Sequence, residues 1–207
     1  MSASPKSVVS ALAMTLASLS SDFAENELAY LALTSKAELP VRDRIAWRLQ
    51  HELNDSYVVS REWRRADIAV LAGETPVLQV EAKAMYAFDV LNAKSRAKNL
   101  AKLTADGLKM AALAPDSAAY LLALITHVDG SVPLHLRRHV VKHSGGIVAS
   151  LTKEGTAGAV GARARQLWEA DLARFTSPST RFGIAGGTMW GLTVELDAYL
   201  IGPLSKA

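Results

Sequence analysis

An α/β fold with a mixed central β-sheet flanked by helices is predicted by three features of this 207-residue sequence. Hydrophobic spacing changes from helical to strand-like near residue 55 and back to helical near residue 89, and a nearly continuous apolar run, "AAYLLALITHV", follows at Ala118–Val128. A long helix between two strands is the crossover that a parallel pair requires, whereas the short turn "GETP" between earlier strands implies antiparallel neighbours. Together these make the sheet mixed and place helices around it.

The elements follow in order. "SPKSVVSALAMTLASLSSDFA" superficially has the lysine, apolar stretch and small residues of an export signal, but Val8, Val9, Leu12, Leu16, Leu19 and Phe23 recur at steps of three and four, the mark of an amphipathic helix. "AENELAYLALTS" reads as a second helix. "LPVRDRIAWRLQHELN" reads as a third, with Pro40 near its start, Asn54 near its end and a stripe of Ile45, Leu49 and Leu53. "SYVVSREW", "ADIAVLAG" and "PVLQVEAKAMY" are rich in β-branched and aromatic residues and form a three-strand meander. A long helix is expected from Asp89 to about Ala114, then the interior strand at Ala118–Val128. Beyond it come a basic stretch to His143, a Gly-rich piece, a helix near Gly161–Phe175, and "GTMWGLTVELDAYLIG", which alternates like an edge or half-exposed strand.

The length suits one compact domain over 1–207, with a core at about 39–128 and an extension at 129–207. Half the residues are hydrophobic, enough to build a core, and 21% are charged. The formal charge of +3 is small, so attraction to a polyanion must come from local arrangement. The absence of cysteine excludes disulfides, thiolate chemistry and Cys-based zinc sites, and fits a reducing, cytoplasmic setting. No run is apolar and long enough to predict a membrane span.

Charges on the second and third strands need a use. On "PVLQVEAKAMY", Gln79, Glu81 and Lys83 share one face and Leu78, Val80, Ala82 and Ala84 the other. Core packing turns Asp67 away from Ala66, Ile68 and Val70, so pairing of the two strands brings Asp67, Glu81 and Lys83 together. Two carboxylates suit Mg²⁺ (or Mn²⁺), a hard ion that is commonly held by one or two carboxylates plus substrate phosphate. Lys83 beside them would assist an attacking water or neutralise charge on the phosphate. A solvated hairpin face would carry the same residue types.

Asp67, thirteen intervening residues, then Glu81-Ala82-Lys83 at the end of an apolar strand resembles the PD-(D/E)xK nuclease superfamily. The resemblance spans about Leu39 to Val128 and implies a restriction-endonuclease-like core preceded by an extra N-terminal helix. It also implies a metal site of Asp67, Glu81 and the Ala82 backbone carbonyl, catalysis by Asp67, Glu81 and Lys83, and an auxiliary acid on the preceding helix, Asp43 with Glu38 as the alternative. Ala66 stands where the motif's name has proline.

Cations surround these acids in sequence. Arg61, Arg64 and Arg65 precede Asp67, and Lys94, Lys98 and Lys102 recur at four-residue steps with Arg96 beside them, a pattern that pairs with nucleic-acid phosphates. Arg42, Arg44 and Arg48 either join that surface or pair with acids such as Asp43 and Glu52 on their own helix. His135, His139 and His143 would align on a helix, but Val140-Val141 and the lack of a completing acid argue against a metal site; Arg137, Arg138 and Lys142 suggest a second basic patch. "GIAGGTMWG" lacks the lysine of a phosphate-binding loop and reads as turns, with Trp190 in the core or at an interface. The expected function is metal-dependent hydrolysis of DNA phosphodiester bonds, in restriction, phage defence or repair. The alternative is an inactive nuclease-fold module that binds nucleic acid or protein. Duplex-cutting members of the resembled superfamily often act as dimers, which implies a homodimer with the first helix or the C-terminal strand as its surface.

Overall fold

The computed structural model describes residues 5–113 and 116–204. Three helices come first, α1 (Pro5–Ser18), α2 (Glu27–Thr34) and α3 (Glu38–Glu52), followed by strands β1 (Tyr57–Trp63), β2 (Ala66–Ala72) and β3 (Thr75–Tyr86). Helices α4 (Ala87–Leu91) and α5 (Ala93–Leu113) lead to β4 (Ala118–Asp129). Then come α6 (Ser144–Glu154), α7 (Ala157–Leu172), β5 (Ser179–Met189) and β6 (Leu192–Ile201). The strands form one six-stranded sheet in the order β1-β2-β3-β4-β6-β5. Strands β3 and β4 run parallel, joined by the helical crossover, and the other neighbours are antiparallel.

Alternation along the strands divides the core into two layers. Val80, Ala82, Ala84, Leu122 and Leu124 face α1, α2 and α3, where Leu12, Leu16, Leu28, Ile45 and Leu49 are fully or almost fully buried. Met85, Leu121, Ala123 and Ile125 face α5 and α7, whose Leu103, Met110 and Trp168 close the opposite layer. Strand β4 is covered on both sides, which explains its unbroken apolar composition. Among the described residues no single helix is long and apolar enough to cross a membrane, and the apolar faces of α1 and α2 are buried in this core.

Four features differ from the sequence reading. The long helix expected from Asp89 is broken at Asn92, whose backbone is extended and whose Oδ1 accepts the Ser95 N–H at 3.0 Å, starting α5 afresh. The Gly-rich piece is the helix α6: a Cβ at Gly146 would lie 2.7 Å from the Phe88 ring, so close packing there selects glycine despite its poor helix propensity. His135, His139 and His143 do not align on one helix, because a 3-10 turn at Leu134–Leu136 and further turns carry the first two, while His143 sits at φ 59° before α6. "GTMWGLTVELDAYLIG" is not one edge strand but the end of β5, a turn at Trp190-Gly191, and β6. Strand β6 lies inside the sheet and β5 forms its edge, so the segment after residue 129 contributes two of the six strands.

Helix α7 is fastened to the sheet by a buried carboxylate. Asp197 on β6, 1% exposed, accepts hydrogen bonds from His127 Nε2 at 2.7 Å, Arg165 Nε at 2.7 Å and Arg181 Nη1 at 2.9 Å. Burial alone would raise the carboxyl group's pKa, but the bonds from His127 and Arg165 outweigh it and hold the pKa down to about 2. A depressed carboxyl stabilises the fold above its ordinary value of 3.8, and that contribution disappears as the pH falls toward 2. Asp197→Ala is expected to cost about 1–3 kcal/mol in urea unfolding at pH 7, since it removes three hydrogen bonds and leaves the buried His127 Nε2 without its partner, while the two partly exposed arginines can turn to water. The difference from wild type should shrink between pH 4 and pH 2.

Candidate active site

The site arises where two strands part. Strands β2 and β3 pair from Ala72↔Thr75 to Ile68↔Val80, whereas β3 continues beside β4 as far as Tyr86↔Thr126. Past Val80 the N–H groups on the vacated side of β3 have no strand partner, and a half-buried amide needs one. Carboxylates take all three: Ala82 N–H donates to Asp67 Oδ2 at 2.7 Å, Ala84 N–H to Glu38 Oε2 at 2.7 Å, and Tyr86 N–H to Asp89 Oδ2 at 3.1 Å. Lys36 Nζ donates to the Ala84 carbonyl at 3.3 Å. A residue's carbonyl leaves a strand on the same side as its own N–H, so the Ala82 carbonyl also faces Asp67.

On the α5 side of β3, Lys83 Nζ lies 3.8 Å from Glu81 Oε1 and 3.6 Å from Asp106 Oδ2, while Lys109 Nζ lies 3.2 Å from Asp106 Oδ1. Glu81 is the strained member. Burial raises its pKa most, the negative charges of Asp67 and Asp106 add to this, and Lys83 offsets only part, leaving it at about 7. A cleft of about 690 Å³ opens here, lined by Arg64, Arg65, Glu81, Asp106, Lys109 and Met110. Asp106 was not singled out in the sequence. Its signal was its phase, since it falls beside the buried stripe of Leu103, Gly107 and Met110.

The two candidate helix acids take different places. Asp43 is 41% exposed and is held by Arg42 Nη2 at 2.8 Å and Arg61 Nη1 at 3.0 Å. Buried Arg42 also bonds Glu62 at 2.9 Å and approaches Asp67 Oδ1 at 3.7 Å, so Asp43 connects to Asp67 through a guanidinium. Glu38 bonds the β3 backbone directly. Arg44 pairs with Glu27 at 3.0 Å and Arg48 with Glu52 at 2.7 Å and with Asp22, so these cations are engaged within the fold.

Lys94, Lys98 and Lys102 are exposed along α5, and Lys109 prolongs their stripe because its angle around the helix falls between those of Lys98 and Lys102. Arg96 lies off this stripe: it bonds Asp171 at 2.9 Å and the Val90 carbonyl at 2.7 Å. Arg64 and Arg65 form the turn between β1 and β2 and border the cleft. "GIAGGTMWG" belongs to β5 and its turn, where Trp190 packs edge-on against Tyr30 with ring centroids 5.8 Å apart.

Asp67, Glu81 and the Ala82 carbonyl supply hard oxygen donors, and the poorly compensated Glu81 carboxylate is a site where a divalent cation would relieve repulsion. These donor types are the ones hard ions such as Mg²⁺ and Mn²⁺ take, and among the described residues no group of three or more acids or histidines is gathered as a cage. No family model matches the chain, and comparison with curated proteins and with solved structures gives no match.

A raised Glu81 pKa means that its stabilising, protonated state is fully present below the ordinary value of 4.5 and is lost as the pH rises through about 7. Without divalent ions, Glu81→Gln is therefore expected to be more stable than wild type at pH 8, by roughly 3 kcal/mol, with the gain vanishing near pH 4. Urea unfolding at the two pH values in EDTA measures this.

Proposed function

We propose that this chain is a metal-dependent DNA endonuclease of the PD-(D/E)xK type, with a restriction-endonuclease-like core running from α3 to β4. The observation that carries the reading is the meeting of Asp67, Glu81 and Lys83 at the point where β2 and β3 separate. Asp67, Glu81 and the Ala82 carbonyl would hold Mg²⁺ or Mn²⁺. Such an ion, when bound, supplies Lewis-acid polarisation of the phosphate and acidifies water.

The chain's own groups do the rest. Lys83 presents its ammonium between Glu81 and Asp106, placed to offset the charge that builds on the phosphate as water adds to phosphorus and the ester P–O bond breaks. Asp106, itself held by Lys109, fixes that ammonium from the α5 side, so Asp106 is a positioning residue. Arg42 restrains Asp67 and joins it to Asp43, which makes Asp43 auxiliary to the pair. The exposed lysines of α5 offer a track for the phosphate backbone independent of base sequence. Restriction, phage defence and repair all use such a reaction.

The rival reading, a nuclease-fold module that binds without cutting, draws on one observation: Asp67 is already engaged by the Ala82 N–H and faces Arg42. Incubation with supercoiled plasmid, single-stranded DNA, branched DNA and RNA, in Mg²⁺, Mn²⁺ or EDTA, separates the two. Metal-dependent DNA cleavage is expected, falling by roughly 10²-fold or more in Asp67→Ala, Glu81→Ala and Lys83→Ala. Metal-independent retention with no cleavage would establish the binder. In thermal unfolding at pH 8, Mg²⁺ is expected to raise the melting temperature of wild type and to leave Glu81→Gln unchanged.

A further inference from the structure

The three hairpins of the sheet are closed by two-residue turns, at Arg64-Arg65, Gly73-Glu74 and Trp190-Gly191. Positive φ angles are needed at such turns, and glycine is the residue that adopts them freely. Gly73 has φ 62°, and Trp190 and Gly191 have φ 56° and 75°. The first turn contains no glycine, yet Arg64 has φ 47° and Arg65 φ 79°, and Glu62 just before it has φ 59°. Left-handed backbone at ordinary residues carries strain and persists where the surroundings or function demand it. Asparagine followed by glycine would form the same turn with little strain.

The two arginines also differ from the other arginines around the acids. Arg42, Arg44, Arg48, Arg61 and Arg96 each meet a carboxylate. Among the described residues no carboxylate lies within ion-pair distance of Arg64 or Arg65. Arg64 stacks its guanidinium over the Trp63 ring, 4.8 Å from the centroid, which orients it while leaving its N–H edge open. Both residues border the cleft that holds Glu81 and Asp106. Two unpaired cations at the mouth of an acid-lined cleft, on a backbone that disfavours them, are poorly explained by folding alone.

We infer that the Arg64-Arg65 turn is a strained phosphate clamp, which grips the nucleic-acid backbone at two phosphates beside Glu81 and is kept at the expense of stability. The inference rests on the nuclease reading for its ligand and names a specific part of that ligand, the phosphodiester backbone next to the cleft. Planar guanidinium groups suit this task because they bind phosphate oxygens through two N–H groups at once.

The test compares wild type with the double variant Arg64→Asn/Arg65→Gly and the charge-preserving Arg64→Lys/Arg65→Lys. Thermal unfolding is expected to place the Asn-Gly variant higher than wild type, by about 2–4 °C. Binding of a fluorescent duplex in EDTA, titrated from about 50 to 200 mM salt, should show its salt slope reduced by about 2, at roughly 0.9 per lost phosphate contact. The lysine variant should retain most of the slope without the rise in melting temperature. An Asn-Gly variant that is no more stable than wild type, or that keeps the full salt slope, overturns the clamp. If wild type binds and cuts DNA while that slope is unchanged, the clamp alone falls; if wild type neither binds nor cuts nucleic acid, the nuclease reading falls with it.

Discussion

The mismatch in length between two neighbouring strands governs this molecule. Strand β3 outruns β2 by the stretch from Glu81 to Tyr86, and its exposed row of amides would be costly in a half-buried setting. Asp67, Glu38 and Asp89 answer that need, one amide each. Structural necessity thereby draws acids to the sheet's interior gap, and the same gap leaves room for something to approach Glu81. Fold and candidate site share one origin: the place where the ladder opens is the place that needs carboxylates.

The surrounding charges are organised in two classes. Arg42 is buried and divided among Asp43, Glu62 and Asp67, so it fixes the positions of acids that would otherwise repel. Lys83 and Lys109 do the same for Glu81 and Asp106, but from a partly open side. The compensation is incomplete, as the upward shift of Glu81 attests. Elsewhere Asp197 shows the opposite balance, with three cationic or polar donors on one buried carboxylate and a pKa pushed down. One carboxylate fastens a helix; the other is left with part of its repulsion uncompensated.

Much of the framework was legible because it is written in local periodicity. The three-strand meander, the crossover helix and the buried β4 each follow from apolar spacing, and Asp67, Glu81 and Lys83 were readable because strand alternation fixes which side each takes. What was not legible depends on distant packing. Helix α6 looks like a loop until Phe88 is placed against Gly146. Strand β5 is hidden by its glycines, and the interior position of β6 is set by β4, not by its own sequence. Asp106 escapes notice because only the passage of α5 across β3 brings it to Lys83. The different partners of Asp43 and Glu38 likewise depend on the register of α3 against the vacated strand edge.

Arg96 carries a meaning beyond its exclusion from the lysine row. By gripping Asp171 on α7 and the carbonyl of Val90, it keeps α5 from rolling or sliding. The lysines on the outer side of that helix are therefore mounted on a stiff rail. Preorganisation of this kind lowers the entropic cost of any association on that face, and under the proposed function it would spare the lysines a reordering step.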